Sequence, residues 1–433
     1  MNNGQVFRFI ISGFCLFTLL LVTNSCANKE KTLVNTAHLD HLYDEVEIMG
    51  KKVGIIHIYS EYPDYKVVEA PGEGIACVDD VARAAVFYLR HYQYTGTKTS
   101  LAKAEKLLDF ILLTQADNGY FYNFINSRHE IDSLINNSRP RADWWSWRAL
   151  WAMGEAYPFY LNHNRSFADT LEKRIRKVTR NIDEFQRQYP KTAVVQNKEL
   201  PTWLPYEYAA DQAGTLLLGL IPYYRASGDT LAGKIIELQS RGVVMLQSGD
   251  SLTFPFGAFL SWKNHWHGWG NNQAYALLDA GDVLKEFDFK EAALRELDGF
   301  YPWLVDKGYL KSFSVGNDSG KNTPAEIQQF EQIAYAVRPM VFANIKAYIM
   351  TGDKRYSSQA LEMTEWLLGK NIANAPLYDP ETGRCFDGID NSEKLNMNSG
   401  AESTIEALLT ILEIEQHPDL RQELFAYYKK RNN

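Results

Sequence analysis

The sequence is poor in cysteine, with four in 433 residues, and it lacks an excess of positive charge. Lys and Arg number 45 against 53 Asp and Glu, so the formal net charge is −8. Binding to nucleic acid phosphates depends on a basic surface, so this balance argues against DNA or RNA as a partner. No Cys-x-x-Cys spacing occurs, which argues against a structural zinc site or a thioredoxin-type redox motif.

Long apolar runs are also missing, apart from residues 9–22. Arg8 precedes this run and small or polar residues 23–25 follow it, which is typical of a secretory signal peptide. The residues before Cys26 resemble a bacterial lipobox, although Thr23 stands where Leu is usual. The resemblance implies cleavage before Cys26 and lipidation of that cysteine. The alternative is an ordinary signal peptide with a cysteine there by chance.

The N-terminal pattern predicts three parts: a lipoprotein signal peptide over 1–25, a lipidated Cys26 with a tether over 26–40, and one large domain over 41–433. Ala27 is not the Asp that favours retention in the inner membrane, so we expect an exported protein anchored to the outer membrane. The lipid would be its only membrane contact. We expect a monomer.

The remaining sequence is dominated by a repeated helix pair after a short β-rich segment. Residues 53–59 and 65–69 have the β-branched and aromatic character of strands. From Val78 onward, apolar residues recur at helical spacing. Gly or Asn, often followed by Asp, Ser or Thr, then separates successive helices. These turns lie at Gly96, Asn162, Gly228, Gly281 and Gly352.

Spacings of 53 to 71 residues between these turns divide the chain into six helix pairs. A single pair cannot bury its apolar face, so neighbouring pairs must stack. We predict an all-α fold: an (α/α)6 toroid of six helical hairpins with a short β-containing N-terminal segment. An open solenoid is the alternative. Divergent repeats and long aromatic connectors favour the closed ring with a single pocket.

The first helix of each pair, taken as the inner one, begins with polar and aromatic residues. In a toroid these parallel helices would bring their leading ends to one mouth. Carboxylates are the most informative group there. Asp79 and Asp80 open the first pair and Glu402 opens the sixth, which is adjacent to the first in a closed ring. Each Asp alone can also be a helix cap, and Glu402 can be an early-helix stabilising acid.

In its helix-pair periodicity, its early Asp pair and its late Glu, the chain resembles the six-hairpin glycosidase superfamily. That superfamily includes family-9 cellulases and unsaturated glucuronyl hydrolases. Residues 77–83, Cys-Val-Asp-Asp-Val-Ala-Arg, are similar to the early acidic motif that supplies the base in inverting family-9 enzymes. Residues 366–371 resemble the late W-x-L-G-x-N segment of that family, and 398–405 lie where its acidic Glu falls. The resemblance implies that Asp79 or Asp80 is the base and Glu402 the acid. The family-9 D-A-G-D spacing is absent.

Aromatic residues make up 13% of the chain and fit stacking against sugar rings. Asn side chains can bind hydroxyls, and Arg can bind a carboxylate, which would make a uronic acid a substrate unit. Internal ion pairs are the alternative for each Arg. The predicted substrate-binding residues are Trp144, Trp145, Arg148, Tyr206, Asp211, His265, Trp266, His267, Trp269, Asn271, Asn272 and Arg338. Trp147 and Trp151, one helical turn apart, are instead expected in the core.

Three further features complete the sequence hypotheses. Neither a dinucleotide loop nor a phosphate loop is present, and His265-x-His267 lacks a third ligand nearby, so we expect no cofactor and no metal. Residues 312–323 predict a mobile polar connector over the mouth. Cys77 and Cys385, on neighbouring pairs, are candidates for a disulfide bond.

These patterns favour a glycoside hydrolase that cleaves oligosaccharides with inversion. Two alternatives stay open at this stage. One is a sugar epimerase of the same fold that uses His265 and His267 to move protons. The other is a lipoprotein that binds glycans without turnover.

Overall fold

The computed structural model describes residues 32–69, 72–196 and 198–432. The predicted signal peptide and the predicted lipidation site, Cys26, lie outside these residues. The compact unit begins at Thr32, earlier than the predicted domain start at residue 41. Residues assigned to the tether are packed instead: the Thr32 hydroxyl and the Leu33 amide both donate to the buried carboxylate of Glu415, each at 2.5 Å.

Thirteen α-helices occupy the described part of the chain, and twelve of them form six hairpins. The first, α1 (Ala37–Leu42), precedes the hairpins. The inner helices are α2 (Val78–Thr95), α4 (Trp144–His163), α6 (Ala210–Ser227), α8 (Gln273–Val283), α10 (Ala334–Thr351) and α12 (Ala401–Glu415). The outer helices are α3 (Lys98–Thr114), α5 (Arg165–Gln186), α7 (Thr230–Met245), α9 (Phe287–Asp306), α11 (Lys354–Glu365) and α13 (Pro418–Asn432).

The inner helices form a closed ring. Each packs on the next along the chain, and α12 packs on α2, which closes the circle. Each inner helix also contacts the outer helix that follows it. The predicted (α/α)6 toroid is therefore confirmed, and the open solenoid is wrong.

Apolar patterning explains which helices are inside. Residues 210–221 of α6 are all buried, as expected for a helix that other helices surround. Helix α5 buries mainly one stripe that includes Leu171, Ile175, Val178 and Ile182, and presents charged residues outward. Trp147 and Trp151 are buried as predicted.

Glycine allows the inner helices α4 and α6 to approach closely. A methyl group added at Gly154 would overlap the carbonyl oxygen of Gly219, and one added at Gly219 would overlap that of Leu150. Side chains at either position would push the ring apart.

The helix ends match the predicted turns in four of five cases. Gly96, Gly228 and Gly352 are left-handed residues that follow α2, α6 and α10, with φ of 73°, 67° and 72°. The turn predicted around Asn162 is present, because α4 ends at His163 and the Asn164 side chain caps α5. The prediction at Gly281 was wrong, because α8 continues to Val283.

Seventeen short strands, all in antiparallel pairings, occupy the connectors of the described residues. Their bounds are β1 (Tyr43–Ile48), β2 (Lys51–Ile56), β3 (Tyr59–Glu61), β4 (Lys66–Val68), β5 (Ala76–Cys77), β6 (Phe124–Ile125), β7 (Thr192–Val195), β8 (Lys198–Pro201), β9 (Gln247–Asp250), β10 (Thr253–Phe259), β11 (His265–His267), β12 (Ser312–Asp318), β13 (Lys321–Gln328), β14 (Tyr378–Asp379), β15 (Arg384–Cys385), β16 (Gly388–Asn391) and β17 (Lys394–Asn396).

Two expectations about the connectors change. The polar segment 312–323 is not an irregular connector but most of the β12–β13 hairpin, the longer part of a three-stranded sheet with β11. Cys77 and Cys385 are buried free thiols, so the predicted disulfide is wrong.

No helix of the described residues has the length and apolar character that a bilayer crossing requires.

A buried carboxyl on α9 makes stability pH-dependent. Glu296 accepts a hydrogen bond from the Phe259 amide at 2.7 Å, and no cation among the described residues pairs with it. Burial raises the pKa of Glu296 to about 8. The native state therefore keeps a proton that the unfolded chain releases near 4.5, so stability is lost as the pH rises from about 4.5 to 8.

We expect Glu296→Gln to remove that loss, because glutamine keeps an acceptor for the Phe259 amide and does not ionise. Urea unfolding at pH 5, 7 and 9 checks this: the free energy of unfolding should fall with pH more steeply for the unsubstituted protein than for the variant. Glu291→Gln, an exposed change on the same helix, is the control. Parallel pH curves for all three proteins would contradict the expectation.

Candidate active site

One cavity of about 360 Å3 lies where the N-terminal ends of α2, α10 and α12 meet. Helix α4 contributes Arg148 from its second turn. The polar residues of the lining are Tyr59, Glu73, Cys77, Asp79, Asp80, Arg83, Arg148, Tyr335, Asp387, Asn396, Glu402 and Ser403. Asp79, Asp80 and Glu402, which the sequence placed at opposite ends of the domain, thus line a single cavity.

Local structure sets the position of the Asp pair. Strand β5 pairs with β6, and helix α2 begins directly after it with Cys77 as its N-cap residue. Asp79 and Asp80 therefore lie in the first turn and neither is the N-cap. The simple capping explanation for these two carboxylates does not hold.

Arg83 connects the two ends of the chain within the cavity. Its guanidinium donates to Asp80 Oδ1 at 2.7 Å and to Glu402 Oε2 at 2.5 Å. A third nitrogen lies 3.1 Å from Glu406 Oε1. The Asp80 and Glu402 oxygens are therefore separated by little more than the width of one guanidinium group and two hydrogen bonds.

The three candidate carboxyls differ in exposure. Asp80 is 4% exposed, whereas the side chains of Asp79 and Glu402 are 18% and 41% exposed. Burial raises the pKa of Asp80 to about 6, against the opposing effect of Arg83, and the nearby charges of Glu402 and Asp79 raise it further. Asp80 is therefore the carboxyl that can hold a proton in mildly acidic water.

Arg148 pairs with Asp79 rather than standing free. The side-chain amide of Asn123 also donates to Asp79, at 3.2 Å. The Arg148 guanidinium lies 5.2 Å from the ring centre of Trp144 and 5.1 Å from that of Tyr335. These two rings and Asp79 thus fix the position of Arg148 in the wall of the cavity.

The charge of the lining is negative. Five carboxyls, from Glu73, Asp79, Asp80, Asp387 and Glu402, face the two guanidinium groups of Arg83 and Arg148. Both guanidinium groups already bind carboxylates of the site. A sugar carboxylate entering this cavity would meet excess negative charge, which disfavours a uronic acid here.

Arg338 does not reach the cavity. Its side chain is fully buried beside Glu406, with which it forms an ion pair, and it packs near the rings of Trp151 and Phe342. The prediction that Arg338 binds substrate is wrong, because inner-helix packing encloses it completely.

The predicted histidines form a separate cluster. His267 Nε2 lies 2.8 Å from Asp211 Oδ2, and the His267 ring stacks on Trp269 with 4.0 Å between centres. His265 contacts the Ser314 hydroxyl at 3.3 Å. Neither histidine lines the carboxylate cavity, and the described residues provide no group of three potential ligands that would hold a metal ion.

Several predicted binding residues serve the fold instead. Trp266 is 2% exposed and stacks on Phe313, so it is a core residue. Trp145 is buried and donates to the Phe121 carbonyl. Asn271 donates to the His267 carbonyl, and Asn272 is fully buried. The side-chain amide nitrogen of Asn272 donates to Thr215 and Gly270, and its buried side-chain oxygen has no hydrogen-bond partner. The composition of a connector cannot indicate this burial.

Trp144 and Tyr206 lie at the start of α4, outside the lining of the cavity. Trp144 lies beside Gly270, where an added methyl group would come within 3.0 Å of the indole. Tyr206 is half exposed, and its hydroxyl donates to Asp143 Oδ2 at 2.7 Å. Neither side chain lines the cavity, so substrate contact by Trp144 and Tyr206 stays a prediction.

The sequence hypotheses missed Arg83, Tyr59 and Asp387 as site residues. Arg83 follows Asp80 by three positions, a spacing at which helical side chains meet, and this signal was available. Asp387 accepts from the Ser403 hydroxyl at 2.7 Å, and burial raises its pKa. Tyr59 and Asp387 reach the cavity from β3 and from a loop that strand pairing positions, so spacing alone does not reveal them.

The sequence matches no protein-family model. It also matches no curated protein. A cellobiose 2-epimerase from Bacillus thermoamylovorans B4167 superposes with a TM-score of 0.60 and 12% identity, covering 87% of this chain and 95% of that one. A sugar epimerase from a ruminal bacterium has a TM-score of 0.58, 14% identity and coverage of 87% and 95%.

The cellulase Cel9M of C. cellulolyticium, solved with cellobiose, superposes with a TM-score of 0.52 and 12% identity over 85% of this chain and 89% of that one. The chain has the six-hairpin (α/α)6 toroid fold of these proteins. The resemblance stated from the sequence is confirmed at that level, and the similarity covers nearly the whole of each six-hairpin structure. At these identities the likeness establishes the fold, and the chemistry must be argued from the site.

Proposed function

We propose that the protein is a glycoside hydrolase that cleaves oligosaccharides by carboxylate acid and base catalysis. The observation that carries the proposal is that Asp79, Asp80 and Glu402 line one cavity and that Asp80 and Glu402 share Arg83. Glycoside cleavage needs one carboxyl that donates a proton and a second that activates water or attacks the sugar.

Burial favours a division of roles that reverses the one implied by the resemblance. Asp80, with its pKa raised to about 6, suits the general acid that protonates the leaving glycosidic oxygen. Glu402 is the most exposed of the three and suits the base that takes a proton from the attacking water. Asp79, which forms an ion pair with Arg148, would orient that arginine in the wall of the cavity.

In this reaction the proton of Asp80 passes to the glycosidic oxygen as the bond from that oxygen to the anomeric carbon breaks. Water forms the new bond to the anomeric carbon and gives its proton to Glu402. Arg83 lies between the two carboxylates and keeps them from direct contact. We propose inversion, which the anomer of the first product tests. The negative lining supports a neutral rather than a uronic sugar at the cleaved bond.

A sugar epimerase is the second candidate, because three of the solved structures with this fold are epimerases. In that case His267, paired with Asp211 beside Trp269, would move protons. A binding protein without turnover is the third candidate.

Incubation of the purified protein with a panel of neutral plant and host oligosaccharides, with products read by mass and NMR, tests the proposal. We expect a gain of one water molecule per product pair and an initial anomer opposite to the substrate's. Products of unchanged mass with altered stereochemistry, lost on His267→Ala, would establish the epimerase instead. Absence of turnover on every glycan, with binding retained, would establish the binding protein.

The lipid anchor at Cys26, the outer-membrane location and the monomeric state stay predictions. The intact mass of the mature N-terminus would test the anchor.

A further inference from the structure

A second and larger cavity, of about 580 Å3, lies between the β-hairpins of the connectors. It is bounded by the β7–β8 hairpin, by Ser248 of β9 and by the β12–β13 hairpin. Its volume lies within the range of small-molecule binding sites. No residue of this cavity lines the carboxylate cavity.

The charge of this cavity is opposite in sign to that of the first. Lys198 and Lys263 line it against one carboxylate, that of Glu326. Glu326 Oε2 accepts from the Ser314 hydroxyl at 2.7 Å, and no ion pair joins Glu326 to either lysine. The remaining polar lining is neutral and consists of Gln196, Ser248, Asn264, Ser314, Asn317 and Asn322.

Lys198 is the central feature. Its ammonium donates to the Gln247 carbonyl at 2.8 Å, and no carboxylate among the described residues forms an ion pair with it. An ammonium has three donors, so two remain for a ligand. Burial lowers the pKa of Lys198 to about 8, which reflects a charge that is removed from water without a counter-charge.

Lys263 is held at the rim by aromatic rings. Its ammonium lies 4.0 Å from the ring centre of Trp262 and 5.3 Å from that of Tyr208. Such contacts fix the position of a cation without neutralising its charge. The cavity therefore presents two positioned ammonium groups among amides and hydroxyls.

We infer that this cavity is a second saccharide site, which binds an acidic sugar through a carboxylate contact with Lys198. Amide and hydroxyl groups match the hydroxyls of a sugar ring, and the uncompensated ammonium matches its carboxylate. The choice of a saccharide rests on the proposed function, whereas the preference for an anion rests on the lysines alone. The acidic sugar units of a substrate would thus be held here, away from the negatively charged site of cleavage.

Isothermal titration calorimetry at pH 7 with trigalacturonic acid, cellotriose and inorganic sulfate tests this assignment. We expect trigalacturonic acid to bind at least tenfold more tightly than cellotriose or sulfate. Lys198→Met should weaken that binding at least tenfold, and Lys198→Arg should restore part of it because arginine keeps the charge. Lys285→Met changes an exposed lysine that does not line the cavity and is the control. It should bind trigalacturonic acid as tightly as the unsubstituted protein does.

Three results would overturn the inference. Equal binding of sulfate and trigalacturonic acid would mean an anion site without sugar recognition. Unchanged binding in Lys198→Met would place the ligand elsewhere, and no binding of trigalacturonic acid would exclude an acidic-sugar site. Thermal melting checks that each variant is folded, and Lys263→Met provides an independent second variant. Because the assay measures binding, its result does not depend on whether the protein hydrolyses glycans.

Discussion

Asp80→Asn and Glu402→Gln are each expected to lower kcat for oligosaccharide hydrolysis by about 10²- to 10⁴-fold, the usual contribution of a general acid or base. Both changes keep the shape of the side chain and remove its ability to exchange a proton. Substrate binding should survive, because the amides still accept hydrogen bonds from Arg83. Initial rates of reducing-sugar release and calorimetric binding of the same oligosaccharide measure the two effects separately.

The pH profile distinguishes Asp80 as the acid from Asp80 as a purely structural group. An acid with a pKa of about 6 is active only while protonated, so kcat/KM of the unsubstituted protein should fall as the pH rises through about 6. Glu393→Gln, a change at an exposed position, is the control and should retain both the rate and the profile. Full activity in either Asp80→Asn or Glu402→Gln would remove the basis of the proposed mechanism.

Arg83→Met is expected to lower the free energy of unfolding by about 3–5 kcal/mol, more than any other substitution proposed for this protein. A loss of that size is typical of breaking a buried ion pair by removing one partner. Arg83 is 1% exposed and binds Asp80, Glu402 and Glu406. Methionine keeps much of the aliphatic stem but leaves these carboxylates without their common cation. Denaturant unfolding at pH 7 measures the change.

Two matched variants give this prediction its controls. Arg128→Met removes an arginine whose side chain is 78% exposed and should change stability by no more than about 0.5 kcal/mol. Arg83→Lys keeps the charge but cannot donate to three carboxylates in the geometry of a guanidinium group, so it should fall between the two. Equal stability of Arg83→Met and Arg128→Met would show that the network does not stabilise the fold.

The helical architecture was predictable because its signals are local. The turn spacings predicted six helix pairs, and the sixth is present as the helices Ala401–Glu415 and Pro418–Asn432. Gly96, Gly228 and Gly352 end helices for the conformational reason expected of glycine. The prediction at Gly281 failed because helix packing tolerates a glycine within a helix.

The candidate site was predictable only in part. The six-hairpin topology brings the first and last inner helices together, so Asp79, Asp80 and Glu402 could be grouped from their order alone. Trp266 and Arg338 were misassigned because their chemistry suits a sugar and their burial depends on contacts with distant segments.

By itself the sequence determined which segments are helices, how many hairpins stack, and which acids begin the first and last of the inner helices, since periodicity and turn residues act over a few positions. Only the tertiary structure decided which side chains remain open to a ligand, which carboxyl keeps its proton, and that the two cavities carry opposite charge. Those properties arise from burial and from the distances between groups far apart in the chain, and no local pattern encodes either.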